Sequence, residues 1–197
     1  MSDREEPTVD GRTDRLPAGV VLDAAFFDRS PEQVARDLIG KIVWARDVGG
    51  GRLTEVEAYL PVGDPASHAA RGRTERNAAM FGPPGSIYIF LSYGIHLCLN
   101  FVCESEGVGA AVLVRSFEPL GPGLGCEGEG ACGPGRVGRA LGIHGGLNGL
   151  PLGSSSGLYV IDDGRASEVV VTGRVGISRG QDLQLRYYMQ GSTRVSR

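Results

Sequence analysis

Lysine is almost missing from this chain: Lys41 is the only one in 197 residues. A mechanism that runs through a Schiff base would therefore have one lysine amine to draw on. Histidine is scarce too. His68, His96 and His144 stand too far apart to suggest a metal triad, and none belongs to an H-E-x-x-H pattern. The cysteines, at 98, 103, 126 and 132, make no Cys-x-x-Cys pair and have no neighbouring histidine, which leaves neither a zinc site nor an iron–sulfur cluster supported. No G-x-S-x-G elbow or reactive-cysteine setting supports acyl transfer. The reading is of a protein with no metal and no cofactor. No apolar run approaches the roughly 20 residues of a membrane span, and the first fifteen residues lack the apolar stretch of an export signal. The expectation is a disordered leader over residues 1–17, a single folded domain over 18–197, reduced thiols, a cytoplasmic location and no membrane contact.

What is present fits one globular domain with a real core: 41% apolar and 22% charged residues. A net charge of −3 counts mildly against a polyanionic partner, but the arginines are unevenly spread. Arg71, Arg73 and Arg76 stand close together against Glu75, and residues 165–197 hold six arginines against Glu168 and Asp182.

Ser30-Pro31-Glu32-Gln33 carries the signals of a helix start, with Ser30 as cap, Val34, Ala35, Leu38 and Ile39 as the apolar stripe, and Gly40 as the stop. Residues 41–48 read as a strand, and Gly49-Gly50-Gly51 as a turn into a second one. Residues 61–86 carry loop signals, and loops of that length tend to be functional. Strands are predicted over 87–92 and 95–103, joined near Tyr93-Gly94, and again over 110–117, 158–161, 169–175 and 183–188. A short helix is predicted over 136–143. A large aromatic at the hairpin tip, Tyr93, is oddly exposed unless it inserts into something. The predicted class is α+β: one curved antiparallel sheet with a protruding β-hairpin and flanking helices.

The most informative stretch is Leu53 to Leu60. Strict alternation reads as a half-buried strand with Leu53, Glu55, Glu57 and Tyr59 on one face, and Thr54, Val56, Ala58 and Leu60 on the other. Two carboxylates and a phenol then stand side by side on a rigid element, as a catalytic group requires. The plainer alternative is a solvated strand face with two ordinary glutamates. Gly133-Pro134-Gly135-Arg136-Val137-Gly138 spells the dinucleotide pattern G-x-G-x-x-G, but glycine-rich chain precedes it where a strand should, and 32 glycines make chance matches cheap.

Taken together and in order, Glu57-Ala58-Tyr59, the spacing to His68, Arg76-Asn77, Met80-Phe81-Gly82-Pro83-Pro84-Gly85, Tyr88 to Tyr93-Gly94, Asn100 and Val112 to Arg115 resemble the alkyladenine (3-methyladenine) DNA glycosylases. The resemblance extends through Gly133-Pro134-Gly135, Arg174 to Ile177 and Leu185 to Tyr188, nearly the whole chain. It implies a monofunctional base-excision enzyme for alkylated or deaminated purines, acting as a monomer on double-stranded DNA, nucleoid-associated if bacterial. Glu57 would be the general base and Arg115 its partner at the water, leaving Glu55 a bystander. Tyr59, His68 and Phe90 would line the pocket for an extruded base, with Asn100 at the floor crowding the exocyclic amine of guanine. Tyr93 would fill the vacated stack, with Ile95, His96, Arg71, Arg73 and Arg76 as further DNA contacts. Phe90 stands where the family usually has a tyrosine, Ile95 and His96 stand where others differ, and the connector 119–132 is shorter than the family's usual helical segment. A non-catalytic module that recognises damaged or unpaired bases is the alternative. A carbohydrate hydrolase using Glu55 and Glu57 is a weaker third.

Overall fold

The computed structural model describes residues 16–120 and 131–196, so the expected leader lies outside them except for its last two residues. A short strand β1 (Val20–Val21) and helix α1 (Ala24–Phe27) lead into α2 (Pro31–Leu38). The predicted helix start holds: Ser30 Oγ accepts the Gln33 N–H at 3.3 Å, and Val34, Ala35 and Leu38 are buried. A cap of this kind contributes about 1 kcal/mol.

Strand β2 (Ile42–Ala45) pairs with β3 (Gly49–Tyr59), but the turn between them is not the glycine run. The chain reverses over residues 46–48, with Asp47 at φ +61°, and Gly49–Gly51 already belong to β3. The glycines are there for close approach: a Cβ at Gly50 would lie 1.9 Å from the Val43 carbonyl oxygen, and one at Gly51 2.2 Å from that of Glu118. Beyond them come the hairpin β4 (Ile87–Ser92) and β5 (His96–Val102), then β6 (Ala111–Pro119), β7 (Ala131–Cys132), α3 (Pro134–Ala140), β8 (Leu158–Asp162), β9 (Val169–Thr172) and β10 (Arg186–Met189). Most of the 119–132 connector lies outside the described residues, but its end is not all loop: β7 pairs with β6. The G-x-G-x-x-G match opens α3, where a Cβ at Gly138 would sit 2.1 Å from the Leu97 carbonyl oxygen, so these glycines serve helix–sheet packing.

All pairings are antiparallel and run β1-β8-β2-β3-β6-β5-β4, with β10 joining β3 and β9. The sheet curls into a half-barrel in one α+β domain. Its central strand is β3, flanked by β6 along nearly its whole length and by β2 and then β10 on the other side. Consequently β3 is buried on both faces, not half-solvated: every residue from Gly50 to Ala58 is buried. A β-bulge against β6 interrupts the alternation at Glu55. Leu53 packs in the main core beside Val56 and Ala58, contrary to its parity, while the adjacent Thr54 and Glu55 both meet the segment 194–196. Bulges re-aim side chains in this way, and alternation cannot reveal them.

Candidate active site

Burying two carboxylates in a central strand is costly unless each is paired and hydrogen-bonded. Glu55 and Glu57 have no exposure, and both are met by Arg115 from the facing strand β6. Arg115 Nη1 donates to Glu57 Oε2 at 3.1 Å, and its Nε donates to Glu55 Oε1 at 3.0 Å. Glu57 Oε2 also accepts from the Tyr59 hydroxyl at 3.0 Å, and Oε1 from the Val175 N–H at 2.8 Å. Desolvation still dominates and holds the Glu57 carboxyl above the usual glutamate range, with Glu55 adding to the rise. Arg115, the Val175 N–H and Tyr59 oppose it. The Tyr59 phenol is pushed well up by its own burial and by Glu57.

Glu55 is no bystander. Its Oε1 accepts from Arg115, from Arg186 Nε at 2.7 Å and from the Ser196 hydroxyl at 2.8 Å, while Oε2 accepts the Ser196 N–H. With both oxygens so occupied, Glu55 is poorly placed to be half of a glycosidase carboxylate pair, which counts against the carbohydrate-hydrolase reading. Two of the arginines counted in residues 165–197 are likewise engaged internally. Arg186 holds Glu55, and the fully buried Arg174 grips Asp64 with two bonds of 2.6 Å while its guanidinium lies 4.7 Å from the Tyr59 ring centroid. Burial pulls Asp64 upward, but Arg174 and the Leu60 and Ala66 N–H groups outweigh it and keep Asp64 below the ordinary carboxylate range.

Tyr59, Arg115 and Val175, the three residues that hydrogen-bond Glu57, are also walls of a cavity of about 350 Å³, which Glu57 itself reaches only through them. Such a volume lies in the range of small-molecule sites. His68, Phe90 and Asn100 line it too, with Tyr93 at its margin. The structure thus brings together the residues picked for catalysis and base binding. His68 and Phe90 meet edge to face, with centroids 4.6 Å apart and planes at 88°. His68 Nδ1 shares a 2.8 Å hydrogen bond with the hydroxyl of Tyr88, a pocket residue the sequence reading passed over. That phenol is pushed up to about 12 by burial. Burial, and then Arg76, hold the His68 imidazole below its usual value, so the ring is neutral at physiological pH. Asn100 is held rigidly: its amide donates to the carbonyls of Tyr88 at 3.0 Å and Cys98 at 3.2 Å.

Beside the cavity rises the β4–β5 hairpin. The Ile95 N–H closes its turn on the Ser92 carbonyl, and Tyr93 and Gly94 both have positive φ, +52° and +70°. A tyrosine in that region is unusual. Tyr93 is 88% exposed and Ile95 74%, while His96 is half-buried with its ring against Gly135 of α3. Arg71 ends the 3-10 turn His68–Arg71, Arg73 and Arg76 lie on the loop that follows it, and all three are exposed. The buried Asn77 organises that loop, donating to the carbonyls of His68 and Gly72 and accepting from the N–H and hydroxyl of Thr74. No helix among the described residues is long and apolar enough to cross a membrane.

A family model described as methylpurine-DNA glycosylase matches residues 25–193. A protein of Burkholderia lata is 43% identical over 193 residues, covering 90% of this chain and 92% of its own. One of Methanoculleus marisnigri is 44% identical over 193 residues, covering 90% and 100%, and one of Rhodopseudomonas palustris is 43% identical over 197 residues, covering 93% and 96%. Each of the three is named "Putative 3-methyladenine DNA glycosylase". With the match running through the buried glutamates, the aromatic cavity and the hairpin, the chain belongs to the methylpurine-DNA glycosylase family and is a DNA N-glycosylase of base excision repair.

Proposed function

We propose that the enzyme extrudes an alkylated or deaminated purine, of the 3-methyladenine or hypoxanthine type, from duplex DNA into the aromatic cavity and hydrolyses its N-glycosidic bond with Glu57 as general base. The observation that carries this reading is the buried Glu57–Arg115 pair, set directly behind a cavity walled by Tyr59, His68 and Phe90 at the foot of a hairpin bearing an exposed tyrosine. A carboxylate offers about four lone-pair sites, and three protein donors reach Glu57, which leaves room to take a proton from water. The water oxygen bonds to C1′ as that carbon gains oxocarbenium character, and the electrons of the C1′–N bond leave with the purine. Arg115 helps keep Glu57 ionised and steadies the water.

No strong acid faces the leaving group, because His68 is neutral and the Tyr59 and Tyr88 phenols are raised. That suits a purine made cationic by alkylation, which departs as a neutral molecule. A neutral imidazole also spares such a cation a like charge, and aromatic faces attract it. Stacking of roughly 1–3 kcal/mol per base offsets the few kcal/mol of unstacking and unpairing. Asn100, unable to swing away, crowds the exocyclic amine of guanine. Tyr93 fills the vacated stack, flanked by Ile95 and His96, while Arg71, Arg73 and Arg76 hold the DNA backbone. The enzyme works as a monomer and leaves an intact abasic strand. The test is a single-turnover assay on duplexes holding hypoxanthine or 3-methyladenine opposite a normal partner. Base release is the expected result, and binding without release would overturn the mechanism.

A further inference from the structure

Arg115 reaches Glu57 through Nη1 alone, at 3.1 Å. What sets the angle of its guanidinium lies on the opposite edge. There Nε donates to Glu55 at 3.0 Å and to the Ser196 hydroxyl oxygen at 3.1 Å, and Nη2 donates to the same hydroxyl at 2.8 Å. Ser196 in turn donates its hydroxyl proton to Glu55 Oε1 and its backbone N–H to Oε2, and its carbonyl accepts from Arg186 Nη2 at 2.8 Å. One serine thus spans the whole back edge of the arginine and ties it to the carboxylate beneath. The Thr54 hydroxyl fastens the same segment at the Arg194 carbonyl, 2.6 Å away.

We propose that Ser196 is a positioning residue for base release: with Glu55 it fixes the plane of Arg115, so that one guanidinium edge is permanently committed and the other is held on Glu57 and the cavity. This deepens the glycosylase reading and rests on it. A guanidinium held by Glu55 alone has a single bond to pivot about and can swing from Glu57 toward the second carboxylate. Only a hydroxyl does the work of Ser196, since it must accept two arginine N–H groups and donate to an anion at once. The groups that face Glu57 are Arg115 from β6, Glu55 and Tyr59 from its own strand, and Arg174 with the Val175 N–H from the segment between β9 and β10, while Arg186 of β10 acts on Glu55. Of these, Arg115 is the cation that most strongly favours ionised Glu57, so loosening it lowers the fraction of Glu57 that is ionised as well as misplacing it.

The test compares wild type, S196A and S196T by three measurements. These are a carbon-13 carboxyl titration of Glu57 in the free protein, single-turnover release of hypoxanthine across pH, and affinity for a duplex carrying an uncleavable abasic analogue. In S196A, Glu57 is expected to titrate at higher pH, with the acid limb of the rate profile moving the same way. Release at neutral pH should fall about ten- to a hundredfold, the scale on which removal of an outer hydrogen-bond partner acts. Affinity for the abasic duplex should stay unchanged, and S196T, which keeps the hydroxyl, should recover the titration and most of the rate. The proposal is overturned if Glu57 titrates in S196A as in wild type. It is equally overturned if rate, affinity and melting temperature fall together and S196T restores none of them. Wild-type protein that binds but releases no base would remove the glycosylase mechanism instead, and the carboxyl titration would still decide for or against Ser196.

Discussion

Replacing Glu57 by glutamine separates the chemistry from everything else the residue does. The carboxylate accepts one bond from the Val175 N–H on Oε1, and two, from Arg115 and Tyr59, on Oε2. An amide has one oxygen to offer. Whichever way it turns, either the Val175 N–H or the Arg115 Nη1 N–H faces another N–H, while the Tyr59 hydroxyl can reverse and accept. One unpaired buried donor costs about 1–3 kcal/mol, partly offset because a desolvated carboxylate is gone. At about 2–4 °C per kcal/mol for a chain of this size, Glu57→Gln should melt only a few degrees below wild type. It should still bind and flip a damaged base. Single-turnover release should drop roughly 10²–10⁴-fold, the range for a lost general base, or about 3–5 kcal/mol of barrier. With Glu57 as the proposed base, the rate should require its ionised form, whose carboxyl lies above its ordinary value, so the rate should climb with pH through a limb displaced upward from the usual range near 4.3. That limb should vanish in the variant. The assay uses excess enzyme over a hypoxanthine duplex, with binding followed by fluorescence anisotropy and folding by thermal melting. A folded Glu57→Gln that releases base within tenfold of wild type would refute the assignment.

The hairpin tip gives a second expectation: Tyr93, 88% exposed, can be replaced by alanine with little change in melting temperature, whereas a packed core aromatic would cost about 3–5 kcal/mol. Capture of the flipped base, read by the fluorescence of a neighbouring base analogue, should fall sharply. Asp163, held down to about 2 by its bonds to Arg52, has a depressed folded pKa. Its contribution to stability should be full above the ordinary aspartate value near 3.9 and should fade as pH drops toward 2; Asp163→Asn should flatten that part of the acid-unfolding curve. Because Lys41 is tied to Asp162 at 2.8 Å on another part of the sheet, borohydride should trap no covalent complex with the abasic product, and the strand should break only on later alkali treatment. A trapped covalent complex would contradict this, with the N-terminal amine the first suspect.

Local chemistry was legible wherever it is written in neighbouring residues. The Ser30 cap, the β4–β5 hairpin with its protruding tyrosine, and the Glu57–Tyr59 spacing were all found from sequence. The glycine run 49–51 misled because the residue that permits tight turns also permits two backbones to touch, and nothing local distinguishes the two uses. The bulge at Glu55 was invisible for a related reason: it is a property of the pairing with β6, not of β3 alone. Alternation put Glu55 and Glu57 side by side but could not say that one faces a cavity wall and the other a tether. The partners that decide this, Arg186 and Ser196, lie beyond any local pattern, as do Asp64 and Arg174, which brace Tyr59. The arginines counted in residues 165–197 include two, Arg174 and Arg186, that are committed to internal carboxylates.

The tether also has a kinetic side. Glu55 meets Arg115, Arg186 and Ser196 across separations of 60, 131 and 141 residues. The sheet closes over the same ranges, since Glu57 pairs with both Leu113 and Arg186, so the loops that the tether must close are those the half-barrel closes too. The local β4–β5 hairpin can therefore form early, whereas the arginine is tethered as the half-barrel itself closes. On refolding from denaturant, sheet order and the power to release a base should return together, in one phase. A lag between them would show that the segment carrying Ser196 docks only after β10 has paired with β3.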